Sequence, residues 1–157
     1  MERPLFSRNI AVLYRLNQKI LFRIAKQKNL PLEVGQIPVM MQVYRYPGLT
    51  QDTISSNSGV DKSTVARVLK QLEGSGMVRR DEDPDDRRVN HIYTTSKGEK
   101  YRDEVFQMIH ELHDILYRGL TEEEVEHAIP LVMKMRTNAE NFLSKTNFTK
   151  KEAGGES

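Results

Sequence analysis

A chain of 157 residues with a net charge of +2 and a pI near 8.8 is long enough for one domain with a real core, and its charge total alone does not indicate nucleic acid. The absence of cysteine excludes disulfides, thiolate chemistry and cysteine-ligated zinc. No apolar run approaches the roughly 18 residues that cross a bilayer, and the N-terminus lacks a signal-peptide pattern, so the expected location is cytoplasmic, with no membrane partner.

In chain order, the N-terminal stretch is basic. Up to Tyr46 it carries Arg3, Arg8, Arg15, Lys19, Arg23, Lys26, Lys28 and Arg45 against Glu2 and Glu33, whereas from Thr95 onward acids outnumber bases. This basic surface suits solubility or packing near a partner subunit equally well. Phe6, Ile10, Leu13, Ile20, Leu21 and Ile24 mark a wide apolar face on a helix expected over about residues 5–30. Met40, Met41, Tyr44 and Tyr46 are spaced along a further helix. They are candidates to line a pocket, although Met and Tyr at such spacing more often fill irregular core gaps.

The next segment has the punctuation of two short helices. Leu49-Thr50-Gln51-Asp52-Thr53-Ile54 offers a cap residue and a helical stretch, and Ser58-Gly59 supplies a turn of the length that helix-turn-helix units use. Asp61 is a good N-cap for the second helix, because its carboxylate accepts from the unpaired N–H groups of the first turn. At about 100° per residue, Val65, Val68, Leu69 and Leu72 share one stripe. Ser63, Arg67 and Lys70 fall almost opposite, with Lys62 and Thr64 on the flanks; Gly74 and Gly76 end the helix. An isolated polar stripe is ordinarily just a solvated face. Following a short helix and a glycine turn, it is better read as a groove-reading helix.

A ribbon comes next. Met77-Val78-Arg79-Arg80 and Val89-Asn90-His91-Ile92-Tyr93 have strand composition and flank a sharp turn, with Asp83 and Pro84 suited to its first and second positions. Arg87 and Arg88 then stand at or near the tip, where a thin basic finger enters the narrow minor groove. Asp81, Glu82, Asp83, Asp85 and Asp86 surround them, which is awkward for DNA binding unless Asp86 pairs with an arginine and orients it while the others face solvent.

Beyond the ribbon, Tyr101, Val105, Met108, Leu112 and Ile115 repeat in steps of four and three, as do Val125, Ala128, Val132, Met135, Ala139 and Phe142. This is the seam along which helices wrap each other, and it is expected to be covered by a second copy; an intramolecular bundle is the other use of such a seam. Thr121-Glu122-Glu123-Glu124 is a capping-box sequence that starts the last helix. Pro130, inside that helix, removes an N–H and crowds the Glu126 carbonyl, which predicts a kink. Residues 147–157, small and polar, are expected to be a disordered tail.

Glu124 and His127 have the Glu-x-x-His spacing of carboxylate di-metal bundles, and His110 and His113 lie one turn apart. The bundle needs a second such motif, and only one occurs. A zinc site formed by histidines across a dimer is the other use, but the rest of its ligand set is not evident, so surface histidines and no metal are expected. The sequence has no glycine-rich phosphate loop, no nucleophile grouping and no dinucleotide fingerprint, so neither catalysis nor a cofactor is expected.

Residues 32–98 resemble the DNA-binding lobe of the MarR family, homodimeric winged-helix transcription factors. The resemblance is carried by Leu49-Thr50-Gln51, Val60-Asp61-Lys62-Ser63-Thr64-Val65, Leu72-Glu73-Gly74-Ser75-Gly76-Met77-Val78-Arg79-Arg80, Asp83-Pro84-Asp85-Asp86-Arg87-Arg88 and Thr95-Ser96-Lys97-Gly98. Its most specific part is the Asp-Arg-Arg of the wing in register with the following Thr-x-x-Gly. The fold it implies is mainly α with a small β-wing: a winged helix-turn-helix lobe flanked by N- and C-terminal dimerisation helices (about 5–30 and 96–146), in a single domain over residues 1–146.

The resemblance implies that Ser63, Thr64 and Arg67 touch bases and phosphates in the major groove, that Arg88 enters the minor groove, and that Asp86 helps fix the wing. With the polar-face and tip residues already named, the expected DNA-binding set is Lys62, Ser63, Thr64, Arg67, Lys70, Arg87 and Arg88. It further implies a homodimer on a pseudo-palindrome with half-sites about 10 bp apart, and a small aromatic or anionic effector whose binding releases a repressor. Cysteine-based oxidant sensing, used by some members, is impossible here. One departure is Thr94, which stands where a hydrophobic residue is usual and is expected to loosen the junction between wing and next helix. A different class of function, a winged-helix module that binds protein, is disfavoured by the arginines and short hydroxyls on one helix face, because protein interfaces favour aromatic and apolar anchors.

Overall fold

The computed structural model describes residues 6–146; the expected disordered tail lies outside the described residues. Residues up to His113 and those from Asp114 form two compact units.

The first unit opens with α1 (Phe6–Gln27), which buries only Leu21, Ile24 and Ala25 at its C-terminal end. Phe6, Ile10 and Leu13, from the same apolar face, are each about half exposed, at 47–49%. A short 3-10 turn (Val34–Gln36) leads into α2 (Ile37–Arg45), the most buried helix of the unit. Met40, Met41 and Tyr44 are core here, while Tyr46 is exposed, so the four do not line a common pocket. The Tyr44 hydroxyl donates to the Gly98 carbonyl at 2.7 Å, and burial pushes its phenol well above the usual range. That bond satisfies a polar group which burial would otherwise penalise.

β1 (Leu49–Thr50) is a two-residue strand that composition does not announce. α3 (Gln51–Ser58) follows, capped by the Thr50 hydroxyl on the Thr53 N–H and ended by Gly59 at φ 70°. α4 (Lys62–Gly74) packs Val65, Val68, Leu69 and Leu72 inward, the stripe its spacing predicts. Gly76 then turns the chain at φ 75°, a conformation that costs glycine little. β2 (Val78–Glu82) and β3 (Asn90–Thr94) complete an antiparallel sheet of order β1-β3-β2, in which Ile92 pairs with both Leu49 and Arg80. β3 is central, so it fixes the wing to the segment that starts the helix-turn-helix.

α5 (Ser96–Glu99) is tied to the wing rather than loosened from it. The Thr95 hydroxyl caps the helix at the Gly98 N–H (3.0 Å) and also donates to the Gly76 carbonyl, while Thr94 donates to Glu99. Thr94 is thus a corrected expectation: its hydroxyl supplies the junction with a bond that a hydrophobic residue lacks. α6 (Arg102–Leu116) brings a second correction. Val105, Met108 and Leu112, assigned by pattern to a partner-covered seam, are 6% exposed or less inside this unit. Core and seam share one helical period, and periodicity alone does not separate them.

In the second unit, α7 (Glu122–Thr146) begins with the expected capping box: the Thr121 N–H donates to Glu124 Oε2 at 2.8 Å and the Glu124 N–H to Thr121 Oγ1 at 3.2 Å. The Glu124 carboxylate is therefore engaged in the cap, and His127 Nδ1 lies 2.8 Å from the Glu123 carbonyl. The helix runs unbroken through Pro130. Its apolar residues stay exposed, with Val132 at 60%, Met133 at 61% and Phe142 at 69%.

Candidate nucleic-acid interface

Burial of one side of α4 fixes which side faces out. Lys62, Ser63, Arg67 and Lys70 are exposed and Thr64 is half-buried. At the N-terminus, Asp61 Oδ1 accepts the Thr64 N–H at 2.9 Å and the Ser63 hydroxyl at 2.6 Å. The Ser63 hydroxyl, then the other cap bonds, holds the Asp61 carboxyl far below the usual range. Its charge also suits the positive end of the helix. Lys62 reaches back to Asp52 of α3 at 3.1 Å, a fully solvated pair of small energetic weight. Arg67 and Lys70 have no ion-pair partner among the described residues. The exposed face thus offers two unpaired cations beyond a preset cap.

The wing tip is built from two consecutive turns. Asp83 Oδ1 accepts the N–H groups of Asp85 (2.9 Å) and Asp86 (3.1 Å), the side-chain mimic of a turn that aspartate favours. The hydrogen-bonded turn comes next: the Val89 N–H donates to the Asp86 carbonyl at 2.9 Å, with Arg87 and Arg88 at its centre. The sharp turn expected at Asp83-Pro84 is therefore a bend held by a side chain, and the arginines occupy the turn proper. The two turns close where the Asp83 N–H meets the Val89 carbonyl at 2.9 Å.

Asp86 grips Arg88 with both carboxylate oxygens. Arg88 Nε donates to Oδ1 at 3.0 Å and Nη2 to Oδ2 at 3.1 Å, and the Arg88 backbone N–H also reaches Oδ1 at 3.0 Å. Such forked pairing fixes the plane of a guanidinium. It holds the Asp86 carboxyl below its usual range and the Arg88 guanidinium above. The Arg88 side chain remains 90% exposed, so it is aimed but not covered. The other wing carboxylates largely sort themselves as well: Asp81 pairs with Arg79, whose guanidinium lies 4.7 Å from the centre of the Tyr93 ring, and Asp83 bonds His91. Glu82 and Asp85 are exposed. Three of the five acidic side chains thus hold a partner within the wing.

Three features were not read from the sequence. Arg80 Nε donates to Glu73 Oε2 at 3.0 Å and ties the end of α4 to the wing. A polar cleft of about 300 Å3 is lined by Thr50, Gln51 and Asp52 at the start of α3 and by Arg80, Arg88, Val89 and Asn90 of the wing. His91 bridges the Gly48 carbonyl and Asp83. The cleft and the His91 bridge depend on strand register, and the Arg80–Glu73 pair on the turn between α4 and β2. The one available signal was alternation, which sets positions 79 and 81 of one strand and 91 and 93 of the other on shared faces.

Residues 32–89 match the family model described as MarR family. The transcriptional regulator HosA of Escherichia coli O111:H- is 32% identical over 110 residues, covering 69% of this chain and 82% of that protein. An uncharacterized HTH-type transcriptional regulator, YybA of Bacillus subtilis (strain 168), is 28% identical over 113 residues, covering 72% and 75%. Among solved structures, the transcriptional regulator SlyA superposes with a TM-score of 0.82 at 26% identity, over 90% of this chain and 99% of that one. A mutant MarR from E. coli, complexed with operator DNA, gives 0.73 at 23% identity over 82% and 91%. Together with the helix-turn-helix and its wing, these matches make the chain a member of the MarR family, a DNA-binding transcriptional regulator of winged helix-turn-helix fold.

Proposed function

We propose that the protein is a homodimeric repressor that reads a pseudo-palindromic operator and is released from it by a small aromatic or anionic effector. The observation that carries the reading is the Arg88 guanidinium, gripped on two oxygens by Asp86 yet left open at the tip of a narrow ribbon. Preorganising a cation lowers the cost of ordering it on DNA. In this reading α4 enters the major groove with Ser63, Thr64 and Arg67 toward base edges. Lys62 and Lys70 meet phosphates, and Arg87 and Arg88 enter the flanking minor groove.

A twofold assembly is supported by apolar side chains left exposed on α1 and α7, which a monomer in water has no use for. The operator of MarR from E. coli is at least a precedent for DNA as the partner of this fold. The effector reading is supported by an open cleft of about 830 Å3 along α1, where the exposed Phe22 ring lies among Lys19, Arg23 and Lys26. Aromatic surface ringed by cations fits an aromatic carboxylate.

Selection of duplexes from a random pool, followed by anisotropy titrations at several salt concentrations, tests the function directly. A repressor of this kind enriches an inverted repeat with half-sites about 10 bp apart, and its affinity falls linearly with salt on logarithmic axes. Adding benzoate to the complex then lowers the anisotropy. No enrichment combined with a flat salt response would favour a winged-helix module that binds protein.

A further inference from the structure

His91 stands at the root of the wing on β3, opposite Asp81 of β2 and Thr50 of β1. Its Nδ1 lies 2.8 Å from the Gly48 carbonyl oxygen and its Nε2 2.7 Å from Asp83 Oδ2. Gly48 leads through β1 into α3. Asp83 anchors the tip, since its other oxygen accepts the N–H groups of Asp85 and Asp86, and Asp86 holds Arg88. One imidazole therefore links the start of the helix-turn-helix to the mount of the wing arginine.

Both partners of that ring are acceptors only. A carbonyl has no proton to give, and Asp83 is kept ionised, its carboxyl held below the usual range first by the His91 bond and then by the turn N–H groups. Neutral imidazole has one N–H and one lone pair, so it satisfies one partner and sets its lone pair against the other. Only the imidazolium donates to both.

We infer that His91 is a positioning residue for Arg88, clasping the wing to the segment before α3 as the imidazolium and releasing it on deprotonation, so that DNA binding through the wing weakens as pH rises. The inference rests on the DNA-binding reading of the wing. The charged groups on neighbouring elements agree with it. Asp81 and Arg79 of β2 pair with each other, Asp52 of α3 pairs with Lys62, and Arg45 of α2 lies against Phe106. Glu99 of α5 is taken up by Thr94 and Arg102. Asp83 and Asp81 are left as the charges acting on the ring, and both favour its protonated form. The His91 pKa is raised, by the Asp83 bond first and the Gly48 carbonyl second.

Substituting Asp83→Asn separates a clasp from a merely structural contact. The introduced amide keeps an oxygen for the turn N–H groups but presents a donor to the ring. Neutral imidazole then donates to Gly48 and accepts from the amide, so the clasp works without the extra proton. The experiment is an NMR titration of the full chain from about pH 5 to about pH 9, following the His91 ring and the Arg88 Nε–H, beside anisotropy titrations on a selected duplex.

In the unsubstituted protein His91 titrates above the usual histidine range and the Arg88 signal moves with the same midpoint. Affinity falls roughly three- to tenfold across that midpoint. In D83N the midpoint drops below the usual range and the alkaline loss disappears; in His91→Asn no step is seen. A His91 midpoint at or below the ordinary value, an Arg88 signal that ignores it, or identical affinity profiles for the unsubstituted protein and D83N would overturn the inference. If the two signals titrate together while no duplex binds at any pH, the DNA reading of the wing fails and the clasp itself stands.

Discussion

The lobe and the last helix use the same kind of side chain for opposite ends. In the lobe and the part of α6 that packs in the same unit, Val39, Met40, Tyr44, Ile54, Val65, Leu69, Leu72, Met77, Ile92, Val105 and Met108 show no exposure at all. In α7, Ile129, Leu131, Val132, Met133, Met135, Phe142 and Leu143 are all at least 42% exposed. A region that closes its own core holds its shape alone, whereas one that leaves its apolar face open reserves that free energy for association. On the proposed homodimer reading, lobe substitutions lower folding stability and α7 substitutions lower subunit affinity. The two sets are therefore separable by experiment.

The largest effect is expected in the lobe. Leu69→Ala should destabilise it by about 2–5 kcal/mol, the lost transfer energy plus the cavity left behind, read as a lower urea midpoint at unchanged slope. Gly98→Ala belongs to the same class for another reason: an added Cβ collides with the Met77 backbone carbonyl where α5 crosses the start of β2. Backbone cannot yield as a flexible side chain does. If either variant melted like the unsubstituted chain, the lobe would not be the rigid half of the comparison.

Val132→Glu on α7 should instead leave the lobe intact and raise the dissociation constant of the dimer. Losing the apolar contact that Val132 would make in each subunit of the proposed dimer, and placing a charge there, is expected to weaken association roughly tenfold to a hundredfold. Sedimentation across a concentration series reads this out, with near-ultraviolet circular dichroism as the check on the lobe. An unchanged mass would mean that α7 is not the seam. Arg88→Ala should have a smaller, sequence-dependent effect, weakening DNA binding several-fold and most where the flank is A·T-rich with a narrow minor groove. Equal losses on every flank would reassign Arg88 to simple phosphate attraction.

The division between lobe and last helix also marks what the sequence could reveal. Local features were legible: the Asp61 cap, the Val65/Val68/Leu69/Leu72 stripe, the Thr121–Glu124 box and the pairing of Asp86 with Arg88 all span four residues or fewer along the chain or one helical period. Val105, Met108 and Leu112 were misassigned because a core stripe and a partner seam have one spacing, and only the fold shows what lies opposite. β1 was invisible because two residues carry no period. His91 was missed because its partners sit 43 residues before it and 8 residues before it, and only the strand register brings Gly48 and Asp83 to one ring.

The smallest expected effect is a dependence on pH that belongs to the α4 cap and the wing. Asp61, Asp83 and Asp86 all have folded-state pKa values below the ordinary 3.8. The unfolded chain thus binds protons more readily, and the stability these groups contribute is present above that value and lost as pH falls through the folded ones. His91 has the opposite sign. Its pKa is raised above 6.5, so its contribution is complete below that value and is lost as pH rises through the folded one. The Asp83–His91 pair is thus whole only between the two limits, and thermal stability should peak in the mildly acidic range. Asp83→Asn removes the anion from one side of that window and the need for the imidazolium from the other, so its melting profile should be flatter at both edges. A profile that keeps its full curvature in D83N would show that the window comes from elsewhere in the chain.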